Sequence, residues 1–261
     1  MKKLMFNYDS PWSPMLCLGL LSCIVTITVT MKMTYWSSDN QDSFWIWLIL
    51  NMTIVMMIMM LWFRDCFRES IIGVTNNDKL CNIKLGMIFF LLSEAFFFFS
   101  FFWMFMSSVL TPDLSFWPPS NLKMPSFIGA PSLNTILLVT SSATVTLSHF
   151  EKDVKNSWSW FWLLCTLMLS LSFMLTQYME YLSLPFNFTS GVGGSIFYLA
   201  TGFHGIHVIL GSMMLMGCLM MIFNQLYTNQ SLLSYELSIW YWHFVDAIWL
   251  MLYTIFYCWG H

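Results

Sequence analysis

Charged residues are scarce in this sequence, at 9% of 261 residues. Soluble domains usually carry about 25% charged residues, so the composition excludes an ordinary soluble protein. No polar stretch is long enough to form a separate soluble domain. The net charge of −3 and the lack of a basic cluster argue against a nucleic-acid-binding protein. With 58% hydrophobic residues, the chain is predicted to be an integral membrane protein.

Motifs of self-contained active sites are also missing. The sequence has no P-loop, nucleophile elbow, G-x-G-x-x-G or HExxH string. Its seven cysteines form no C-x-x-C pair, and most lie in apolar runs. We therefore expect the cysteines to be small buried hydrophobic residues rather than metal ligands.

Long apolar runs make up most of the chain. A run of about 20 apolar residues can cross a bilayer as a helix. Seven candidates occur, at 15–35, 43–63, 83–110, 132–150, 157–182, 192–223 and 236–258. The fourth is only weakly apolar, but its small and hydroxyl residues suit tight helix contacts inside a bundle. We predict an all-α membrane protein with one membrane domain, residues 1–261.

The distribution of basic residues favours all seven crossings. With seven spans, one side of the membrane holds eight lysines and arginines and the other holds two, Lys32 and Lys123. Removing the fourth span changes the division to six and four. Because cytoplasmic or matrix loops are enriched in basic residues, seven spans are preferred. The N-terminus is then expected on the matrix or cytoplasmic side, with His261 on the opposite side.

A single carboxyl group, Glu94, lies near the middle of the Phe-rich third run. A carboxyl group at that depth is costly, so it should face protein or water, be protonated, or have a partner. It is either a proton-linked site or a protonated side chain that hydrogen-bonds to a neighbouring helix.

Two pairs of polar residues have helical i, i+3 spacing. His204 and His207 share one face, and so do His243 and Asp246. A metal- or haem-binding pair is one possible function of the two histidines, and a proton relay is one of His243 and Asp246. For the two histidines, we prefer neutral imidazoles that bridge helices or lie near a glycine contact at Gly202, Gly205 or Gly211. For His243 and Asp246, we prefer an intramembrane ion pair or hydrogen bond that fixes one helix against another.

Polar residues also occur at the ends of two spans. Arg64 and Arg68 follow the second span, where they could pair with nearby carboxylates or bind lipid phosphate. Gln177 and Glu180 end the fifth span, and we expect Glu180 at the interface, where its cost is small.

Several strings occur in the order found in one family. They include RD and RE at 64–65 and 68–69, SE at 93–94, WPP at 117–119, ATGFHGIHV at 200–208, and Glu236 followed by WYWHFVD at 240–246. On these strings the chain resembles subunit III of the mitochondrial aa3-type cytochrome c oxidase, essentially from end to end.

The resemblance implies a fold and a set of partners. Two helices, at 15–35 and 43–63, would splay from a bundle of the other five, and the V-shaped cleft would hold phospholipids. This chain would carry no metal and no cofactor; haem a, haem a3 and copper would belong to partner subunits. It would pack mainly on subunit I, with subunit II and small accessory subunits also in the complex.

The resemblance also implies roles for particular residues. Glu94 matches the family's carbodiimide-reactive membrane carboxylate. The candidates for lipid binding are Trp62, Arg64, Arg68 and Glu94, and those for a polar network that packs helices are His204, His207, Glu236, His243 and Asp246. No residue is expected to be catalytic. The family's His pair after the second span is lost here, as is the basic residue usual near residues 220–221.

The implied function is that of a core subunit of respiratory complex IV in the mitochondrial inner membrane. It would support electron transfer from cytochrome c to oxygen, with proton pumping, by stabilising subunit I, binding lipids and sustaining proton uptake. The N-terminus would lie in the matrix and the C-terminus in the intermembrane space. The alternatives are a stand-alone proton-linked transporter and a haem-bearing membrane anchor.

Overall fold

A computed structural model describes residues 10–36, 41–72, 77–110, 125–154, 158–224 and 232–259. These residues form helices and connecting turns, with no strand among them. The helices are α1 (Trp12–Trp36), α2 (Gln41–Ile72), α3 (Asn77–Leu110), α4 (Ala130–Asp153), α5 (Ser159–Ser183), α6 (Val192–Phe223) and α7 (Leu232–Leu252). A π-helical turn, Tyr253–Cys258, continues α7. Each of the seven predicted runs forms a helix, which confirms the all-α prediction.

Six of these helices are long and apolar enough to cross a membrane, and α4 is not among the six. The hydroxyl groups of α4 explain its lower hydropathy, and the structure shows what they bind. Ser141 Oγ accepts a hydrogen bond from Trp242 Nε1 at 3.0 Å, and Ser148 Oγ accepts one from the Tyr235 hydroxyl at 2.6 Å. The predicted use of these residues for helix contact is confirmed, while the crossing of α4 stays a prediction.

The chain divides into two compact units, Met1–Thr75 and Asn76–His261. The first, here called the two-helix unit, contains α1 and α2. Its helices run antiparallel, and Gly19 lets them approach, because a Cβ atom there would lie 3.0 Å from Val55 Cγ2. Ser22 Oγ and Asn51 Oδ1, 3.5 Å apart, add one weak polar contact between the helices.

The second, the five-helix unit, contains α3 to α7 and the π turn. Helix α7 contacts α3, α4 and α6, while α5 packs between α4 and α6. Its largest fully buried side chains are Trp242, Trp249, Tyr235 and Tyr257. A Cβ atom at Gly211 would lie 2.9 Å from the Trp242 ring, so only glycine allows α6 this close to α7. Gly202 and Gly205 have no neighbour within 4 Å, so the expected glycine contact is made by Gly211 alone of these three.

The expectation of buried cysteines is wrong for most of them. Only Cys23 and Cys218 are buried; Cys165 is half-buried, and the others are exposed: Cys17, Cys66, Cys81 and Cys258. The solvent of a membrane helix is lipid, so an apolar residue has no need to face the protein interior. Apolar sequence therefore indicates membrane depth here but not burial.

Candidate functional site

Glu94 of α3 lies against His207 of α6. Glu94 Oε2 is 3.1 Å from His207 Nε2, and these side chains are 25% and 10% exposed. His207 Nδ1 lies 2.7 Å from the Phe203 carbonyl oxygen, which can only accept, so Nδ1 carries a hydrogen. The pair then shares one further proton: either the carboxyl group donates it to Nε2, or Nε2 holds it and the carboxylate accepts. Both arrangements keep the pair neutral.

Aromatic rings enclose this pair. The His207 ring meets Phe98 edge to face, with ring centres 5.2 Å apart, and stacks on Tyr241 at 6.2 Å. Phe97 of the same Phe-rich helix meets Phe203 at 5.1 Å. The Phe-rich sequence of α3 thus supplies an apolar wall, which strengthens a polar bond by excluding water. Glu94 thus contacts a neighbouring helix, as one of its two interpretations requires, while a proton-linked role stays a prediction.

A second link joins α3 to α7. Lys84 Nζ is 2.9 Å from Glu236 Oε2, and these side chains are 43% and 33% exposed. At that exposure an ion pair contributes little to stability, about 0–1 kcal/mol. It nevertheless links the two helices at this end of the unit.

Asp246 and His243 share a face of α7, but the carboxyl group bonds to another helix. Asp246 Oδ2 accepts a hydrogen bond from Ser142 Oγ of α4 at 2.9 Å. Asp246 Oδ1 is buried and has no hydrogen-bond partner. His243 is only half-buried. The geometry of Asp246 is that of a contact between α7 and α4.

His204 lies one turn before His207 in surroundings without polar partners. It is 1% exposed, and neither ring nitrogen has a hydrogen-bond partner. Its ring packs on Trp249, with ring centres 5.1 Å apart, and on Phe173 at 5.8 Å. The two histidines therefore lie on one helix face but do not contact a common partner. No group of three or more His, Cys, Asp or Glu side chains that could hold a metal occurs among the described residues.

The candidates for lipid binding on α2 surround Asp65. Its carboxylate accepts a hydrogen bond from Trp12 Nε1 at 3.1 Å and is paired with Arg64 at 3.0 Å. Arg68, one turn further along, is exposed, and Trp62 is half-buried. Arg64 is thus engaged within the chain, whereas Arg68 presents its charge at the surface of the two-helix unit. Glu94, the fourth candidate, belongs to the five-helix unit.

The structure buries a carboxyl group that we expected at the interface. Glu180 is 4% exposed, and Gln177, one turn earlier, is 5% exposed. Its depth in the membrane stays a prediction, but its side chain is buried because α4 and the π turn cover the end of α5. Asn134 Nδ2 of α4 donates to Gln177 Oε1 at 3.0 Å, and Tyr257 of the π turn is fully buried. In the sequence, the i, i+3 spacing of these two polar residues in an apolar helix was the pattern that could have indicated their burial.

Comparison with known proteins gives a consistent result. The family model described as cytochrome c oxidase subunit III matches residues 4–261. Proteins named cytochrome c oxidase subunit 3 from Yarrowia lipolytica and Branchiostoma lanceolatum are each 37% identical over 96% of this chain, covering 93% and 94% of their own lengths. The same-named protein of Locusta migratoria is 36% identical over 96% of this chain and 94% of its own length.

Proposed function

Because this chain belongs to the cytochrome c oxidase subunit III family, we propose that it acts as a cofactor-free core subunit that stabilises subunit I, binds phospholipids and sustains proton uptake. Membership of the family makes it a subunit of complex IV, the oxidoreductase of the respiratory chain. The comparisons do not support a stand-alone transporter.

The main evidence for a supporting rather than a proton-conducting role is the pairing of Glu94 with His207 inside the five-helix unit. A carboxyl group bonded to the next helix, with Phe98 and Tyr241 around its partner, has the environment of a packing group. A proton path would instead need polar or water-lined continuity on either side of it. Proton transfer across the membrane is therefore assigned to partner subunits.

An exposed apolar face of α3 supports packing against partner helices or lipid. Phe89, Phe96 and Trp103 recur every seven residues and are 63%, 72% and 62% exposed. Residues seven apart lie on one side of a helix. We assign this face to contacts with lipid acyl chains or with neighbouring subunits, subunit I first among them, with subunit II and small accessory subunits as further members of the complex.

The phospholipid role rests on the two-helix unit. Arg68 is an exposed cation near the end of a membrane-spanning helix, where it can bind a phosphate group. Trp62 and Arg64 lie within two turns of it on the same helix. We propose that phospholipid headgroups bind at this end of the two-helix unit. We also place the protein in the mitochondrial inner membrane, with the N-terminus in the matrix and the C-terminus in the intermembrane space.

Affinity purification through this chain tests the proposal. The chain should isolate with partners that contain haem a and copper, while the chain separated from them should show no haem absorption. A Soret band on the isolated chain would assign it to haem-bearing anchors instead. Oxidase depleted of this chain should begin turnover at a nearly normal rate and then inactivate faster; an unchanged lifetime would contradict the stabilising role.

A further inference from the structure

One ionisable side chain of α7, His243, has no polar partner within the part of the chain that the structure describes. Its ring is half-buried, and none of the hydrogen bonds or ion pairs among the described residues involves it. Its ring nitrogens stay accessible at the surface of the five-helix unit, whereas those of His204 are sealed inside. The imidazole of His243 is therefore open to whatever lies against this side of α7.

The depth of His243 makes this openness costly. It lies near the middle of the apolar span Leu232–Cys258. The hydrocarbon core of a bilayer is about 30 Å thick, so the middle of a span lies about 15 Å from the nearest headgroups. Acyl chains offer no hydrogen-bonding group at that depth. Ionisable side chains inside membranes therefore almost always pair with one another or face protein or water.

The surface around the imidazole suits a second helix. On α7, Ala247 is exposed one turn after His243, and Leu250 follows it on the same stripe with 41% exposure. On α4, Ser142 bonds to α7, and Thr146 is exposed one turn later. Small residues of this kind let membrane helices approach closely. We call these five residues the His243 face.

The other polar groups near this face are already used or out of reach. Asp246 Oδ2 accepts from Ser142, and Asp246 Oδ1 is buried. The Thr146 hydroxyl donates to the Ala143 carbonyl of its own helix at 2.7 Å. The imidazole is thus the free polar group of the face, and a neutral imidazole offers one donor and one acceptor. A hydroxyl or amide side chain fits either nitrogen, while a cation would find no accessible carboxylate.

We propose that His243 is the polar contact point for a membrane helix of another subunit of the oxidase. That helix presents a serine, threonine, asparagine or glutamine at the depth of His243, and its backbone passes over Ala247 and Thr146. Lipid fits this position poorly, because its polar groups lie at the membrane surface. The partner comes from within the complex, because a subunit III belongs to a multi-subunit oxidase.

The intact oxidase tests which molecule occupies the face. Density for the complex should place a hydroxyl or amide group of another subunit about 2.7–3.2 Å from a ring nitrogen of His243. A photo-crosslinking residue at Leu250 should capture a peptide of the same subunit. Acyl-chain density over His243, or crosslinks to lipid alone, would overturn the proposal. A crosslink to a second copy of this chain would overturn it too.

The sign of a retention change gives an independent test. His243→Leu should speed the release of this chain from the purified complex in detergent about three- to tenfold, the effect of one lost interhelical hydrogen bond. His243→Gln keeps a donor and an acceptor and should restore most of the retention. If acyl chains cover the ring, His243→Leu removes a costly polar group and leaves release unchanged or slower, which would refute the proposal.

Thr254→Val in the π turn is the matched control. Its exposed hydroxyl already donates to the Leu250 carbonyl of its own helix at 3.0 Å, and valine has nearly the same shape. Release of this chain should therefore stay at the wild-type rate. An effect of Thr254→Val as large as that of His243→Leu would show that any change along this side of α7 weakens the complex, which would contradict a specific role for the imidazole.

Discussion

The two-helix unit and the five-helix unit differ sharply in their interiors. In the most apolar windows of α1 and α2, 17% and 6% of the residues are buried, against 11% in α3, 28% in α5, 33% in α6 and 44% in α7. Among the described residues of the two-helix unit, Trp12 donates to Asp65 at 3.1 Å and Ser22 makes a long contact with Asn51 at 3.5 Å between the helices. The five-helix unit has many interhelical hydrogen bonds, including those of Ser141, Asn134 and His207.

This difference shows where each unit obtains its stability. Lipid tails are as apolar as leucine, so burial by itself does not drive membrane helices together. Close packing and hydrogen bonds must drive the association of membrane helices, and the five-helix unit has both. The two-helix unit packs closely at Gly19 but has few such hydrogen bonds among its described residues, so we expect its order to depend more on lipid and neighbouring subunits. The four predictions below test this contrast, from the largest expected effect to the smallest.

Gly211→Ala tests the packing of the five-helix unit. Its Cβ atom would meet the buried Trp242 ring at 2.9 Å, and overpacking of this kind costs about 1–3 kcal/mol. Gly205→Ala on the same helix enters open space, so it should be neutral or stabilising by up to about 1 kcal/mol through helix propensity. Thermal unfolding of both variants in the complex measures the contrast. Equal effects would mean that the α6–α7 contact is not tight.

Removal of phospholipid from the purified complex tests the dependence of the two-helix unit on its surroundings. Amide hydrogen exchange in α1 and α2 should accelerate about tenfold, which corresponds to roughly 1.4 kcal/mol. Exchange in α6 and α7 should change much less, because their partners lie within the chain. A uniform acceleration across all helices would remove the distinction between the units.

Arg68→Ala tests whether the exposed cation of the two-helix unit holds lipid. Its fold stability should change by no more than about 0.5 kcal/mol, as for most surface substitutions. Retained phospholipid, measured by mass spectrometry, should fall, and the turnover lifetime should shorten. Lys32→Ala, which removes an exposed charge from the other end of the same unit, is the control. Unchanged lipid content in Arg68→Ala would argue against a headgroup site there.

Glu94→Gln should have the smallest effect on the activity of the complex. The amide can still bond to His207, so stability should change by less than about 1 kcal/mol. Electron transfer and the number of protons pumped per electron should both stay nearly normal. Loss of pumping with electron transfer preserved would show that the carboxyl group conducts protons and is more than a packing partner.

Sequence reasoning predicted the helices well because apolar length is a local property. Each run of about 20 apolar residues forms a helix, and even the weakly apolar α4 is present, with Ser141 and Ser148 bonded to α7 as its composition indicated. The family resemblance was visible in strings such as 200–208 and is confirmed by the family match over residues 4–261.

The sequence did not predict which polar groups meet. Glu94 and His207 are 113 residues apart, and their contact depends on the register and rotation of α3 and α6. For Glu180, proximity to a helix end suggested the interface, yet its rotation on α5 points it toward α4 and the π turn. Hydrophobic periodicity identifies the buried face of a helix only when the opposite face is polar. In lipid both faces of a helix are apolar, so periodicity does not show which face packs inside the protein.

The position of α7 in the chain has a consequence for biosynthesis. It is the most buried helix of its unit and contacts α3, α4 and α6, yet it follows all of them in sequence. As the chain emerges from the ribosome, α3 to α6 must wait in the membrane while Trp242 and Asp246, the partners of Ser141 and Ser142, are still missing. The two-helix hairpin has no such delay, because its single contact is complete once α2 is inserted. Ribosome stalling before residue 232 would therefore leave a completed α1–α2 hairpin attached to an open, unfinished bundle.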